Sequence, residues 1–177
     1  MKSRETLMNQ DRRFLNMVGD LDESGALRMM YITDLWEQMA EIPIDPAVPA
    51  DIIEQFDKAR HAYVYSWFAY DLVSLAEQQG YQTLELALRE KLPPKERAKA
   101  DAEHWGLGAL FKRAYAHRWL VRAEFVNPDT GICGLDVIER CRNDLAHGSR
   151  NLFPGGSLIM LELCAGVLGK LFRQESA

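Results

Sequence analysis

Three side chains that could act together on a phosphodiester lie within six residues of one another. Arg142 and Asn143 are adjacent, and His147 follows after three further residues. A guanidinium binds phosphate oxygens through paired donors, an amide can orient a neighbouring group, and an imidazole exchanges a proton near neutral pH. These are the groups that a ribonuclease working without a metal needs.

The segment that carries these residues, from about Gly134 to His147, is predicted to be an amphipathic helix. On a helical wheel, Arg142 falls inside the apolar stripe, whereas Asn143 and His147 lie together on the neighbouring polar flank. Arg142 and His147 are separated by about 140° of rotation and about 7.5 Å of rise. One copy of the segment therefore does not easily enclose a phosphate.

An arginine in an apolar stripe needs an anionic partner, because burying an unpaired guanidinium is prohibitively costly. Glu162 and Glu85, each in a largely apolar helical segment, are the candidate partners within the chain. Arg142 would then be structural, and His147 would be an ordinary residue at a helix C-terminus, where its protonated form suits the helix dipole. A phosphate or a seam between subunits could serve Arg142 instead, and the residues alone leave these interpretations open.

The string Arg142-Asn143-x-x-x-His147, followed by Gly148, resembles the signature of the HEPN superfamily (higher eukaryotes and prokaryotes nucleotide-binding domain). The run from Tyr65-Ser66-Trp67-Phe68 to Leu84-Glu85-Leu86-Ala87-Leu88-Arg89 is similar to the long helix of prokaryotic members. The resemblance covers roughly residues 52–172. Arg140 also fits a longer spacing that the family tolerates, but Arg142, followed by asparagine, is the better match.

This resemblance implies RNA cleavage without a metal or cofactor in an all-α fold. The RNA 2′-hydroxyl would attack the adjacent phosphodiester and leave a 2′,3′-cyclic phosphate and a 5′-hydroxyl. His147 would act as general acid or base, Arg142 would stabilise charge in the transition state, and Asn143 would orient His147 or the phosphate. HEPN nucleases are described as dimers with a composite site, which agrees with the wheel, so we expect a C2 homodimer.

The resemblance also implies a biological setting, a toxin or phage-defence effector restrained by a partner such as a nucleotidyltransferase-like antitoxin. The main alternative is a catalytically silent helical module that binds a nucleotide, RNA or a protein through the same arginine. A third interpretation is a purely structural scaffold. Full pairing of Arg142 with Glu162 or Glu85 inside one subunit would favour that third interpretation.

A second basic cluster surrounds Arg113 and His117, which are four residues apart. The cluster is typical of a solvated helix face, but together with Arg140 it could contact the RNA as a secondary site. The chain has four histidines without the H-E-x-x-H pattern or any other metal-ligand spacing, so no metal site is expected.

Composition limits the classes of protein that the chain can be. Its formal net charge of −5 argues against a broad basic surface for nucleic acid, because such binding depends on many lysine and arginine contacts to phosphate. Three cysteines without C-x-x-C spacing suit a reducing cytoplasm. The apolar stretch from Leu158 to Leu171 contains Glu162 and Lys170 and is expected to be a core helix too short to cross a bilayer.

Helical periodicity continues through most of the chain, with no convincing strand alternation. Residues 51–92 lack proline and are predicted to form one very long helix or two in line, with Gly80 as the weak point. Helices ending near His147 and beginning after Ser157 would be capped by Gly148 and by Ser157. We expect one all-α domain over residues 1–177, an antiparallel bundle of five to six helices with its core in 51–177 and an N-terminal extension in 1–50.

Overall fold

Apolar residues at helical spacing dominate the sequence, and the computed structural model, which describes residues 2–147 and 154–173, is mostly helical. The prediction of a helical fold is confirmed. Within the described ranges there are seven α-helices, somewhat more than the five to six expected, together with two short 3-10 helices and one small sheet. The α-helices are α1 (Ile32–Ala40), α2 (Ala50–Tyr65), α3 (Leu72–Lys91), α4 (Pro94–Ala102), α5 (Leu107–Ala116), α6 (Gly134–Ala146) and α7 (Pro154–Phe172).

The proline-free stretch forms two helices that pack side by side, so the prediction of one long helix or two in line was wrong. The side-chain amide of Gln79 in α3 donates to the backbone oxygen of Gln55 in α2 over 3.2 Å. The chain turns between Tyr65 and Leu72, where the Ser66 hydroxyl donates to the backbone oxygen of Tyr63 at 2.6 Å.

Asp11, from far earlier in the sequence, stabilises this turn. Its backbone N–H donates to the Trp67 carbonyl at 2.8 Å, and its carboxylate accepts from the Tyr70 N–H at 3.0 Å. Hydrogen bonds from Arg13 hold the pKa of Asp11 well below its ordinary value. Such distant partners leave no periodic signal, which explains why the sequence did not indicate the turn.

Gly80 does not interrupt α3, contrary to the prediction that it was the weak point. A β-carbon at Gly80 would lie 2.9 Å from Cδ2 of Leu161 in α7. The glycine therefore permits a close approach of α3 and α7. Leu84 and Leu88 of α3, like Leu161 and Leu168 of α7, are at most 1% exposed, so the core lies around these two helices.

A β-hairpin that the sequence did not predict precedes α1. Strands β1 (Val18–Leu21) and β2 (Leu27–Met29) are antiparallel, with Val18 opposite Met29 and Leu21 opposite Leu27. All four of these side chains are 46–72% exposed, so neither strand shows an apolar alternation that could identify it. Arg28 of β2 binds the buried carboxylate of Asp34 in α1, with Nη1 to Oδ2 at 2.8 Å.

The residues before position 50 contribute to the same core as the helices. Phe14 is fully buried, and its ring lies 5.6 Å from the ring of Trp67 and 5.4 Å from that of Tyr70. Leu35 and Met39 of α1 are 1% and 3% exposed. The segment expected to be an extension thus supplies buried side chains.

Helix α7 begins before the position predicted for it. Ser157 lies inside the helix, where its hydroxyl donates to Oε1 of Glu77, so it is not an N-cap.

By length and composition, Gly155–Phe172 could cross a membrane, with a mean hydropathy of 1.5, and half of it is buried in the fold. The expectation that this stretch is too short was therefore wrong, although the core helix of a soluble protein has the same character. The Gly148 cap lies outside the described residues.

Candidate functional site

Helix α6 places Arg142, Asn143 and His147 at its C-terminal end. Leu135 and Ile138 are at most 1% exposed and fix the helix on the core. The helix ends at Ala146, and the His147 N–H donates to the Asn143 carbonyl at 3.1 Å. The side chains of Asn143 and His147 are exposed, and that of Arg142 is half-buried. This division follows the helical wheel.

Arg142 pairs with Glu85, one of the two carboxylates that the sequence offered. Its Nε lies 2.9 Å from Oε1 of Glu85 in α3, and the side chains are 34% and 18% exposed. The other candidate, Glu162, is exposed on α7. The ion pair therefore links α6 to α3.

Asn143 contacts Arg142 through its side chain, whereas the sequence suggested that it orients His147 or the phosphate. Nη1 of Arg142 lies 3.5 Å from Oδ1 of Asn143, a long hydrogen bond. The backbone of Asn143 accepts from His147. Asn143 thus contacts Arg142 through its side chain and His147 through its backbone oxygen.

A small cleft of about 90 Å³, open to solvent, lies between α3 and α6 at this point. Its described lining consists of Gln78, Tyr81, Gln82 and Glu85 from α3 and Arg142, Leu145 and Ala146 from α6. Arg142 is therefore part of the cleft wall, and His147 is not among the described residues of that wall. The separation agrees with the wide angle between the two residues on the helix.

Sequence reasoning missed Gln78, Tyr81 and Gln82. Gln78, Gln82 and Glu85 follow one another at four- and three-residue spacing, so they share one face of α3. A wheel of α3 aligned on Glu85 would have found them, had the packing of α3 against α6 been known.

A buried polar cluster lies behind the cleft. Glu77 accepts from the Ser157 hydroxyl and from the Tyr81 hydroxyl, the second at 3.3 Å. Burial raises the pKa of Glu77 and also that of Tyr81, with the nearby Glu77 carboxylate adding to the effect on Tyr81. Tyr81 is 2% exposed, so its neutral ring forms a fixed part of the cleft wall.

Two thiols lie near this cluster. Burial, with a smaller contribution from the negative charge of Glu77, raises the pKa of Cys141 in α6 and of Cys164 in α7. Both side chains are free cysteines. A buried thiol with a raised pKa is protonated and inert at neutral pH.

The secondary basic cluster is engaged in a separate network. Glu96 of α4 accepts from Arg113, with Nη2 2.7 Å from Oε1, and its Oε2 lies 3.1 Å from Nε2 of His117. These contacts hold the pKa of the Glu96 carboxyl below its ordinary value. The His117 ring stacks on Trp119 with centroids 4.4 Å apart. Neither basic residue lines the cleft, and Arg140 is exposed on α6.

In residues 2–147 and 154–173, no group of three or more His, Cys, Asp or Glu side chains is arranged to hold a metal ion. Comparison of the chain with protein-family models, with curated proteins and with solved structures gave no match. The resemblance to HEPN proteins stays a prediction. A helical fold hosts many unrelated activities, so function has to be argued from the site.

Proposed function

We propose that this protein is a metal-independent endoribonuclease of the HEPN type, with Arg142, Asn143 and His147 as half of each active site. The observation that carries the proposal is the position of Arg142 in the wall of the cleft, held through Nε by Glu85. Because the ion pair uses Nε, the Nη edge of the guanidinium can bind a phosphate. A guanidinium oriented before the substrate arrives loses little freedom on binding.

The reaction follows from these groups. The RNA 2′-oxygen forms a bond to the adjacent phosphorus, its proton passes to a base, and the bond from phosphorus to the 5′-oxygen breaks. The leaving oxygen takes a proton, so the products are a 2′,3′-cyclic phosphate and a 5′-hydroxyl. His147 transfers a proton at one of these oxygens, and Arg142 stabilises the negative charge on phosphorus-bound oxygens. Asn143, through its contact with Nη1, keeps the guanidinium in place.

A second copy of the chain completes the site. Arg142 lines the cleft whereas His147 is outside its described wall, so a single chain offers the phosphate only one of the two groups. A two-fold partner supplies a second arginine and histidine across the groove. In the cell, such an activity suits a cytoplasmic toxin or phage-defence effector restrained by a protein partner such as a nucleotidyltransferase-like antitoxin.

The ion pair also bears on the alternatives to an enzyme. Pairing of Arg142 with Glu85 inside one subunit is the contact that favours a structural scaffold. Because the pair engages Nε, the same arginine could instead anchor a nucleotide, RNA or protein without any chemistry. The chain would then be a catalytically silent helical module. Such a module would bind RNA or nucleotide and leave it intact.

The test is incubation of total RNA and transfer RNA, in EDTA, with wild type, His147→Ala, Arg142→Ala and His61→Ala. His61 is an exposed histidine on α2, so its variant is the matched control. We expect cleavage by wild type and control, with 2′,3′-cyclic phosphate ends. The His147 and Arg142 variants should each lose about 100-fold or more in rate.

Two results would count against the proposal. Equal inactivity of all four proteins on every RNA, with no loss of host growth on expression, excludes a nuclease. Cleavage by His147→Ala at the wild-type rate shows that the activity belongs to other residues.

A further inference from the structure

Two glutamines lie beside the ion pair in the cleft. Gln78 and Gln82 are exposed on α3, one helical turn apart, and Glu85 follows on the same face. Phosphate binding by Arg142 does not require these amides. They are polar groups without a role in the cleavage reaction, placed next to the group that would hold the scissile phosphate.

We propose that this cleft binds one base of the RNA strand, and that Gln78 and Gln82, together with the acceptor Glu85, select adenine or cytosine by the amino group at N6 or N4. The base belongs to the nucleotide whose phosphate Arg142 contacts. The inference rests on the proposed function only for the cleavage of the bound RNA strand. Binding of the base does not itself require cleavage.

The amides match the edge of such a base. A glutamine carries an acceptor oxygen and a donor NH₂, so it can accept from an amino group and donate to the ring nitrogen beside it. At four-residue spacing the two β-carbons are about 6 Å apart, so both side chains reach the same small ligand. Uracil presents an oxygen where adenine and cytosine present the amino group, and an amide turned by 180° could donate to that oxygen. The amides therefore bind the edge of the base, and the fixed acceptor Glu85 sets the preference.

Glu85 adds discrimination against a keto oxygen. An ionised carboxylate only accepts hydrogen bonds, and Oε1 is occupied by Nε of Arg142. The other carboxylate oxygen, Oε2, is the one that a base could reach, because Glu85 lines the cleft and its side chain is 18% exposed. It would accept from an amino group and would repel the O4 of uracil or the O6 of guanine.

The remaining wall suits the flat face of a base. Leu145 and Ala146 supply apolar surface, whereas the Tyr81 ring is only 2% exposed and leaves no face open for stacking. A base packs on such aliphatic surface by displacing water. The cleft therefore combines an apolar face, amides at the edge and one cation, which is the set of groups that a nucleotide requires.

The experiment measures binding separately from cleavage. Fluorescein-labelled hexamers of 2′-deoxyuridine, each with one internal deoxyadenosine, deoxycytidine, deoxyguanosine or deoxyuridine, lack the attacking hydroxyl. Fluorescence anisotropy should show that wild type binds the adenine and cytosine oligomers about tenfold more tightly than the all-uracil one. The double variant Gln78→Ala/Gln82→Ala should lose this preference.

The matched control is Gln55→Ala, a glutamine on α2 outside the cleft whose side-chain oxygen accepts from Lys58. It should keep the wild-type preference. Gln82→Met keeps about the size of the side chain but removes the amide, so it should weaken the preference even if the double variant folds poorly. Equal binding of all four oligomers by wild type, or a preference that survives in Gln82→Met and in the folded double variant, overturns the inference.

The two proposals fail separately. Cleavage of RNA with no preference for the neighbouring base leaves the nuclease standing and removes the base site. Selective binding of the deoxy oligomers by a wild type that cleaves no RNA removes the nuclease and leaves the base site.

Discussion

The side chain of Arg142 is held by a contact that contributes little to folding. A partly exposed ion pair such as Arg142–Glu85 is worth about 0–1 kcal/mol, because water screens the charges and two side chains lose freedom. Its effect is mainly on orientation. In the proposed active site, Glu85 would thus be a positioning residue and Arg142 the group that meets the phosphate.

The buried carboxyl of Glu77 leads to a prediction about the pH dependence of stability, which does not depend on the function of the protein. Because burial raises its pKa in the folded state, the carboxyl contributes stability that is complete below its ordinary pKa of 4.5 and is lost as pH rises through the folded value. Glu77→Gln cannot ionise. Its melting temperature, relative to wild type, should therefore rise as the pH increases above the ordinary pKa of 4.5.

Thermal unfolding followed by circular dichroism at several pH values measures this difference. Glu90→Gln, an exposed glutamate on the same helix, is the control and should show a flat difference. A Glu77→Gln difference that is equally flat would mean that the carboxyl is well solvated.

For single residues, helical periodicity in the sequence was enough to place Arg142 in an apolar stripe and to indicate Glu85 as a possible partner. It could not choose between Glu85 and Glu162, because both α3 and α7 pack against α6 and the choice depends on which carboxylate faces Arg142. Gln78 and Gln82 were missed for the same reason. Their chemistry becomes visible only when α3 and α6 share a cleft.

Among the helices, the close approach of α3 and α7 leads to a paired prediction. Gly80→Ala should gain about 1 kcal/mol of helix propensity but cost about 1–3 kcal/mol in overpacking against Leu161. Gly166→Ala, exposed in α7 with no described atom within 4 Å of its β-carbon, should only gain, by about 0.5–1 kcal/mol. Urea denaturation gives both free energies of unfolding.

The expected order is Gly166→Ala above wild type, with Gly80→Ala level with it or lower. If Gly80→Ala is as stable as Gly166→Ala, the two helices have more room than the structure indicates. Both variants introduce alanine, so their free energies of unfolding can be compared directly.

Helices were well indicated by the sequence, and their connections were not. Pro93 and Pro94 ended α3 and began α4 as their chemistry requires. The turn from α2 to α3 depends on Asp11, and the β-hairpin has exposed apolar side chains on both strands. Both features arise from contacts between distant residues, and periodicity reports only local ones.

For the whole molecule, the composite site predicts complementation. Arg142→Ala and His147→Ala should each be inactive, and mixing the two proteins should restore RNA cleavage, because a mixed dimer contains one site with both groups. Sedimentation equilibrium should show a dimer at micromolar concentration. Mixing Arg142→Ala with the Arg142→Ala/His147→Ala double variant is the control, since no mixed dimer then has an intact site.

A mixture that stays inactive while exchange of subunits is demonstrated would place Arg142 and His147 of one chain in the same site. A protein that remains monomeric and active would remove the need for a partner. Either result would leave the nuclease chemistry in place and change only its assembly.

The hydrogen bonds between Asp11 and the turn from α2 to α3 bear on the order in which the chain folds. The contact joins residues 59 positions apart, and the Arg173–Asp45 ion pair joins residues 128 apart. The entropy of closing a loop must be lost before such contacts form, so we expect local pairing of α2 with α3 to come first. The N-terminal segment would then close over a helical hairpin that already exists, and Phe14 would pack against Trp67 and Tyr70 late.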